Sequence, residues 1–144
     1  MPEIEYAFLA DAAQVQPGQK FSVLGGGVSR ITGPALPFVH PHLSLVVGLR
    51  MKPAERNQEH ELGFVLVAPD GGQVATASGR VVANGPDVPD DFVLTIAADL
   101  WNLELRLVGD HSVRISIDGR ERKRLSLTIA TATSGQLPEQ KYLA

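Results

Sequence analysis

The chain has 144 residues, a formal net charge of −3 and no cysteine. That length fits one domain with its own core, and the missing cysteine excludes disulfides, thiolate metal sites and a cysteine nucleophile. The acidic balance argues against general nucleic-acid binding, which runs on a surplus of Lys and Arg.

Met1-Pro2-Glu3-Ile4-Glu5 is acidic where a signal peptide is basic. A first strand is predicted over Glu3 to Ala10, with Ile4, Tyr6 and Phe8 on one face. Asp11-Ala12-Ala13 reads as a turn or a single helical turn, and Gln16-Pro17-Gly18-Gln19 as a turn. A second strand over Lys20 to Leu24 runs into Gly25-Gly26-Gly27. The segment from Gly33 to Pro41 holds three prolines and reads as a crossover between sheets. The strongest alternation follows: Leu43, Leu45, Val47, Leu49 and Met51 mark a strand with one buried face. Lys52 to Glu59 is polar and reads as a loop. A strand over Glu61 to Val67 ends at Pro69-Asp70-Gly71-Gly72, a hairpin signal, and Gln73 to Ala83 returns as a small-residue edge. After a Pro/Gly/Asp loop, Phe92 to Ala98 is a strand, Asp99 to Asn102 a bulge or turn around the single Trp101, and Leu103 to Leu107 a further strand. Val113 to Ile117 and Arg120 to Thr131 form a hairpin closed by Asp118-Gly119, the favoured pair for a type I′ turn. Thr133 to Ala144 reads as a tail.

No apolar run approaches the ~20 residues that span a bilayer. Eight or nine short strands without an amphipathic helix predict an all-β fold, a two-sheet antiparallel sandwich of immunoglobulin-like type over residues 1–132, with the tail at 133–144. A closed barrel is the alternative.

Three segments carry a resemblance: Phe8-Leu9-Ala10-Asp11-Ala12-Ala13, Lys20-Phe21-Ser22-Val23-Leu24-Gly25-Gly26-Gly27 and Pro37-Phe38-Val39-His40-Pro41, completed by the hairpin at Ile117-Asp118-Gly119. Together they resemble an uncharacterised bacterial family, a domain of unknown function common in actinobacteria. The resemblance implies a small intracellular β-rich domain and transfers no catalytic residue. His111 stands where many such sandwiches carry a corner tyrosine.

Each candidate site meets a plainer reading. Gly25-Gly26-Gly27 lacks the following helix and the Gly-Lys-Ser/Thr of a phosphate loop, so a bulge or close backbone approach is expected. His40 and His42 fall on one side of a strand and, with His60 and Glu59 or Glu61, offer zinc ligands. Asp87, Asp90 and Asp91 suggest a calcium loop. Neither set is complete, and no metal or other cofactor is expected. No serine sits in a Gly-x-Ser-x-Gly elbow, so no catalytic residue is assigned and no enzyme is expected. Simple alternation puts Arg120, Arg122 and Arg124 with Arg114 on one outward face, suited to an acidic partner. The same logic turns Val46, Val65 and Val67 outward, an apolar face that something should cover. The expectation is therefore a non-enzymatic, cytoplasmic protein-interaction or assembly module. Its partner is a second copy in a homodimer or an unidentified protein, with no nucleic-acid and no membrane partner. A small-ligand-binding sandwich and a calcium- or zinc-dependent module are the alternatives.

Overall fold

A computed structural model of the chain describes residues 2–16, 20–82 and 89–132. Nine strands occur among them: β1 (Glu3–Gln14), β2 (Ser22–Gly26), β3 (Arg30–Gly33), β4 (Phe38–Met51), β5 (Glu59–Val67), β6 (Gln73–Val82), β7 (Phe92–Leu105), β8 (Gly109–Ile117) and β9 (Arg120–Thr131). One 3-10 turn, Pro53–Glu55, joins β4 to β5. The first sheet runs β2-β1-β4-β7 and the second β3-β9-β8-β5-β6. All pairings are antiparallel except β3 with β9. This is the all-β, two-sheet architecture that the period-two pattern demands.

The core lies between the sheets. Leu43, Leu45, Val47, Leu49 and Met51 of β4 face Leu62, Phe64 and Leu66 of β5 and Val113, Ile115 and Ile117 of β8, with Leu127 and Ile129 of β9 beside them. Strand β8 alternates without a break: His111, Val113, Ile115 and Ile117 are buried, and Ser112, Arg114 and Ser116 are not. The Asp118-Gly119 turn has φ of 51° and 81°, both left-handed as a type I′ turn requires.

The structure departs from the expected elements at three places. A register shift between Ile4 and Tyr6 sets Ile4 opposite Leu49 on the core side and Tyr6 opposite Gly48 on the outer side, so Ile4, Tyr6 and Phe8 do not share a face. Asp11-Ala12-Ala13 forms no turn; β1 runs on to Gln14 because β2 pairs with it there. Phe92 to Leu105 is one strand, not two, and β4 begins at Phe38, inside the expected crossover. Pro41 is tolerated because β1 pairs with β4 only from Ser44 onward. Opposite this stretch, Asn102 takes φ 51°. Leu100, Leu103 and Leu105 all enter the core, so the phase of β7 changes at Asn102.

Candidate functional site

The outer face of the first sheet carries two distinct zones. At one end Tyr6, Phe8 and Phe21 form an aromatic cluster with ring centroids 5.9–6.5 Å apart. Tyr6 stands across from Gly48, and Phe8 across from Val46. Only glycine fits at 48: a Cβ there would lie 2.3 Å from the Tyr6 ring. The Tyr6 hydroxyl is hydrogen-bonded to Thr95 Oγ1 on β7, tying the ring across three strands. Beside it, Arg50 grips Glu5 in a bidentate fork of two 2.7 Å hydrogen bonds. That contact holds the Glu5 carboxyl below its ordinary range.

At the other end a polar cluster forms from β4 and β7. Asp99 Oδ1 accepts both the Ser44 hydroxyl and the His42 Nε2 proton, each at 2.8 Å. Ser44 is fully buried. The Ser44 hydrogen bond, aided by the lesser His42 contact, holds the Asp99 carboxyl below its ordinary value against the opposing effect of burial. His42 then stacks on Trp101 with centroids 4.1 Å apart, and Trp101 remains 66% exposed. Serine, histidine and aspartate thus meet, but not as a nucleophilic triad. In a triad the two ring nitrogens serve different partners. Here Nε2 gives its proton to Asp99, so it is no base for Ser44, whose oxygen lies 3.4 Å away and out of reach of solvent. What the arrangement does is fix a histidine ring as the backing for an exposed indole.

A second histidine–carboxylate pair sits in the other sheet. His60 Nδ1 donates to Asp118 Oδ2 at 2.9 Å, and the Glu61 amide donates to Asp118 Oδ1 at 2.9 Å. The His60 contact comes first and the Glu61 amide second in holding the Asp118 carboxyl low. The residue that makes the type I′ turn therefore also anchors it to β5. His111 is 2% exposed and its Nδ1 lies 3.1 Å from the Gly109 carbonyl.

The structure redraws the expected sites. His40, His42 and His60 do not converge: His60 lies in the other sheet, and the change of phase near Pro41 sets His40 opposite the core residue Leu103 while His42 stands opposite outward Trp101. Among the described residues no group of three or more His, Asp and Glu is placed to hold a metal ion. Asp87 lies outside the described residues, and Asp91 is 4.0 Å from Arg50. Gly25-Gly26-Gly27 makes a close backbone approach: the amides of Gly27 and Val28 both donate to the Leu9 carbonyl, and Gly25 leaves room for Asp11.

The four-arginine face is also altered. A bulge between Ile115 and Ser116 places Arg124 across from Arg114 but Glu121 across from Ser116. Glu121, not Arg122, therefore shares the outward face with Arg114 and Arg124. It bonds Arg124 at 2.8 Å and lies 3.8 Å from Arg114. Arg120 stands opposite inward Ile117, kept in water because β9 overruns the core there. The uncovered valine face is corrected too. Val46 is 0% exposed and Val67 7%, while Val65, beside Arg114, stays half-buried. Val46 lies beside the chain's own rings on the first sheet, so it offers no solvent-exposed patch, and it does not share a sheet with Val65 and Val67.

Sequence reasoning missed the Trp101 platform. His42 lies 57 residues from Asp99 and further still from Trp101, and their only signal was the period-two phase shared by His42 and Ser44.

Residues 5–130 match a family of unknown function (DUF6941). No curated protein matches the chain. Among solved structures, the chain is similar to the Pseudomonas fluorescens alkylpurine DNA glycosylase AlkC bound to DNA containing an abasic site analog, with a TM-score of 0.52 and 11% identity. The match covers 90% of this chain and 30% of that one, so the likeness is one of fold and spans under a third of the glycosylase. It overturns the expectation that nucleic acid is excluded as a partner: this fold forms part of a DNA-bound protein, and net charge alone does not decide the matter. No helix among the described residues is long and apolar enough to cross a membrane.

Proposed function

The chain belongs to that family of unknown function, and we propose that it is a non-enzymatic protein-interaction module that engages its partner through the outer face of the first sheet. One observation carries this reading: Trp101 is two-thirds exposed on a strand, yet is backed by His42, which is itself held by Asp99. An indole pinned in one orientation loses little entropy on contact, which is why Trp anchors interfaces so often. The setting that goes with this reading is the bacterial, largely actinobacterial, cytoplasm, and the topology that goes with it is immunoglobulin-like.

The test is a pair of immobilised baits, wild type and Trp101→Ala, each offered lysate of the source organism and read by quantitative mass spectrometry. Proteins retained by the wild type and lost from Trp101→Ala support the reading. Identical retention, with both baits melting cooperatively, refutes it.

Nucleic-acid contact is a second reading, favoured by a separate observation. The segment Arg114 to Arg124 holds five cations against Asp118 and Glu121, a net +3 in a chain of net −3. Arg120 and Lys123 have no ion-pair partner among the described residues. The likeness to a DNA-bound glycosylase supports the same reading. Fluorescence anisotropy with labelled single- and double-stranded DNA at two salt concentrations tests it. Phosphate contacts through the hairpin should weaken with a log–log slope of about −0.9 per contact on duplex DNA, and Arg120→Glu with Lys123→Glu should abolish binding.

A further inference from the structure

Among the described residues, strand β7 is hydrogen-bonded on one side only, to β4, and ends the first sheet. It is 14 residues long. A long unpaired edge is a template for another strand, and proteins commonly block such edges with lysine or proline. Phe92 to Leu105 contains no Lys, Arg or Pro; its only charges are Asp99 and Glu104. Glu104 is paired with Arg106 at 3.0 Å. Asp99 spends Oδ1 on Ser44 and His42, and Oδ2 has no partner among the described residues. Its side chain is 44% exposed. Trp101 is the next residue on the same outer face, with Val39 across from Glu104 and 57% exposed.

We propose that the free edge of β7 receives an extended segment of a protein partner as an added strand, with an arginine of that segment seated between the Asp99 carboxylate and the Trp101 ring. The proposal rests on the reading of the domain as a protein-interaction module and names the chemistry of its partner. An added strand lies ~4.8 Å from β7. At that spacing, side chains on the outer face of the incoming strand fall beside Asp99 and Trp101. A guanidinium suits both neighbours: it donates to the open Oδ2 and lies flat on the indole. An acidic edge with one uncommitted carboxylate selects a basic strand and rejects an acidic one. The main-chain ladder supplies affinity and the arginine supplies register.

The test uses the full chain labelled with 15N and two capped hexapeptides of alternating threonine and valine. One carries a central arginine, and the other carries citrulline, which keeps the shape and removes the charge. The expected result is saturable shifts at β7 amides, slowed hydrogen exchange along the free edge, and binding about tenfold tighter for the arginine peptide. Asp99→Asn should erase that preference while leaving a weaker ladder in place. The single tryptophan supplies a second readout: its emission should respond to the arginine peptide. Equal binding of both peptides, shifts confined to β6 or the β8–β9 hairpin, or no saturable shift at millimolar peptide overturns the proposal. So does concentration-dependent shifting of β7 without peptide, which would make a second copy the occupant, or displacement of the arginine peptide by an oligonucleotide. The bait comparison separates the two levels. Partners lost from Trp101→Ala together with failed peptide arms refute strand addition alone; partners unaffected by Trp101→Ala refute the interaction reading itself.

Discussion

Gly48→Ala probes how the outer face of the first sheet is covered. The new methyl would lie 2.3–2.6 Å from three carbons of the Tyr6 ring, where real contacts need at least 3.0 Å. The ring must therefore withdraw by about 1 Å. It is not free to do so, being stacked on Phe8 and Phe21 and bonded to Thr95. Overpacking of this kind costs about 1–3 kcal/mol. Replacing a strand glycine by alanine returns about 0.5–1 kcal/mol through lower chain entropy. The net loss is about 0–2.5 kcal/mol, centred near 1 kcal/mol, or about 4 °C in melting temperature per kcal/mol for a domain of this size. Thermal unfolding followed by circular dichroism measures it. The decisive comparison is in a Tyr6→Ala background, where the obstacle is gone and the same Gly48→Ala change should be neutral or stabilising. If Gly48→Ala melts within about 1 °C of its parent in both backgrounds, the ring does not sit on Gly48 and the account of the covered face fails.

Three further outcomes are expected. Asp118→Ala should cost about 2–3 kcal/mol in urea denaturation, because it leaves His60 Nδ1 and the Glu61 amide without acceptors and puts alanine at φ 51°; Asp118→Asn, which keeps an acceptor and tolerates that φ, should cost less. The Asp99 carboxyl titrates low in the folded chain, so its contribution is complete above the unfolded value of about 3.9 and disappears as pH falls through the folded value. Asp99→Asn should therefore shrink the fall in melting temperature between pH 6 and the acid limb, by a modest amount because the group is partly solvated. Finally, Gly27→Ala meets open space at φ +84° and should cost about 1–2 kcal/mol for the dihedral alone, while Gly25→Ala also strikes Asp11 Oδ2 at 2.1 Å and should cost more.

The inner faces were legible because burial imposes a period of two on each strand separately, and the sequence of β8 or of β4 from Leu43 shows it without knowledge of any neighbour. The Asp118-Gly119 turn was legible for the same reason, since its two positive φ values are a property of two adjacent residues. What failed were phase statements carried across an irregularity. The bulge at Ile115/Ser116 replaces Arg122 by Glu121 on the outward face, and Pro41 facing Asn102 separates His40 from His42. At the bulge one extra residue, Arg122, reverses the side chains beyond it; at Pro41 and Asn102 the register is unbroken and both strands change phase together, and nothing in local composition announces either place.

The outer face was illegible for a different reason. An apolar residue on the solvent side of a strand has the same appearance in sequence whether a partner or the chain itself covers it. Val46 pointed outward as expected, and the choice between those two covers was settled by Phe8, Tyr6 and Phe21, which come from β1 and from the segment before β2. Their small neighbours are the other half of the arrangement: Gly48 gives the Tyr6 ring its seat and Ala97 lies across from Val46. The chain therefore covers its large apolar residues at one end of the sheet. At the other end it spends Ser44, His42 and Asp99 on holding Trp101 in water. A fold that packs Tyr6, half-buried, over glycine has a means of covering an indole as well. That it instead supports the indole from behind, on an unpaired acidic edge strand, is the physical ground for placing recognition at that end.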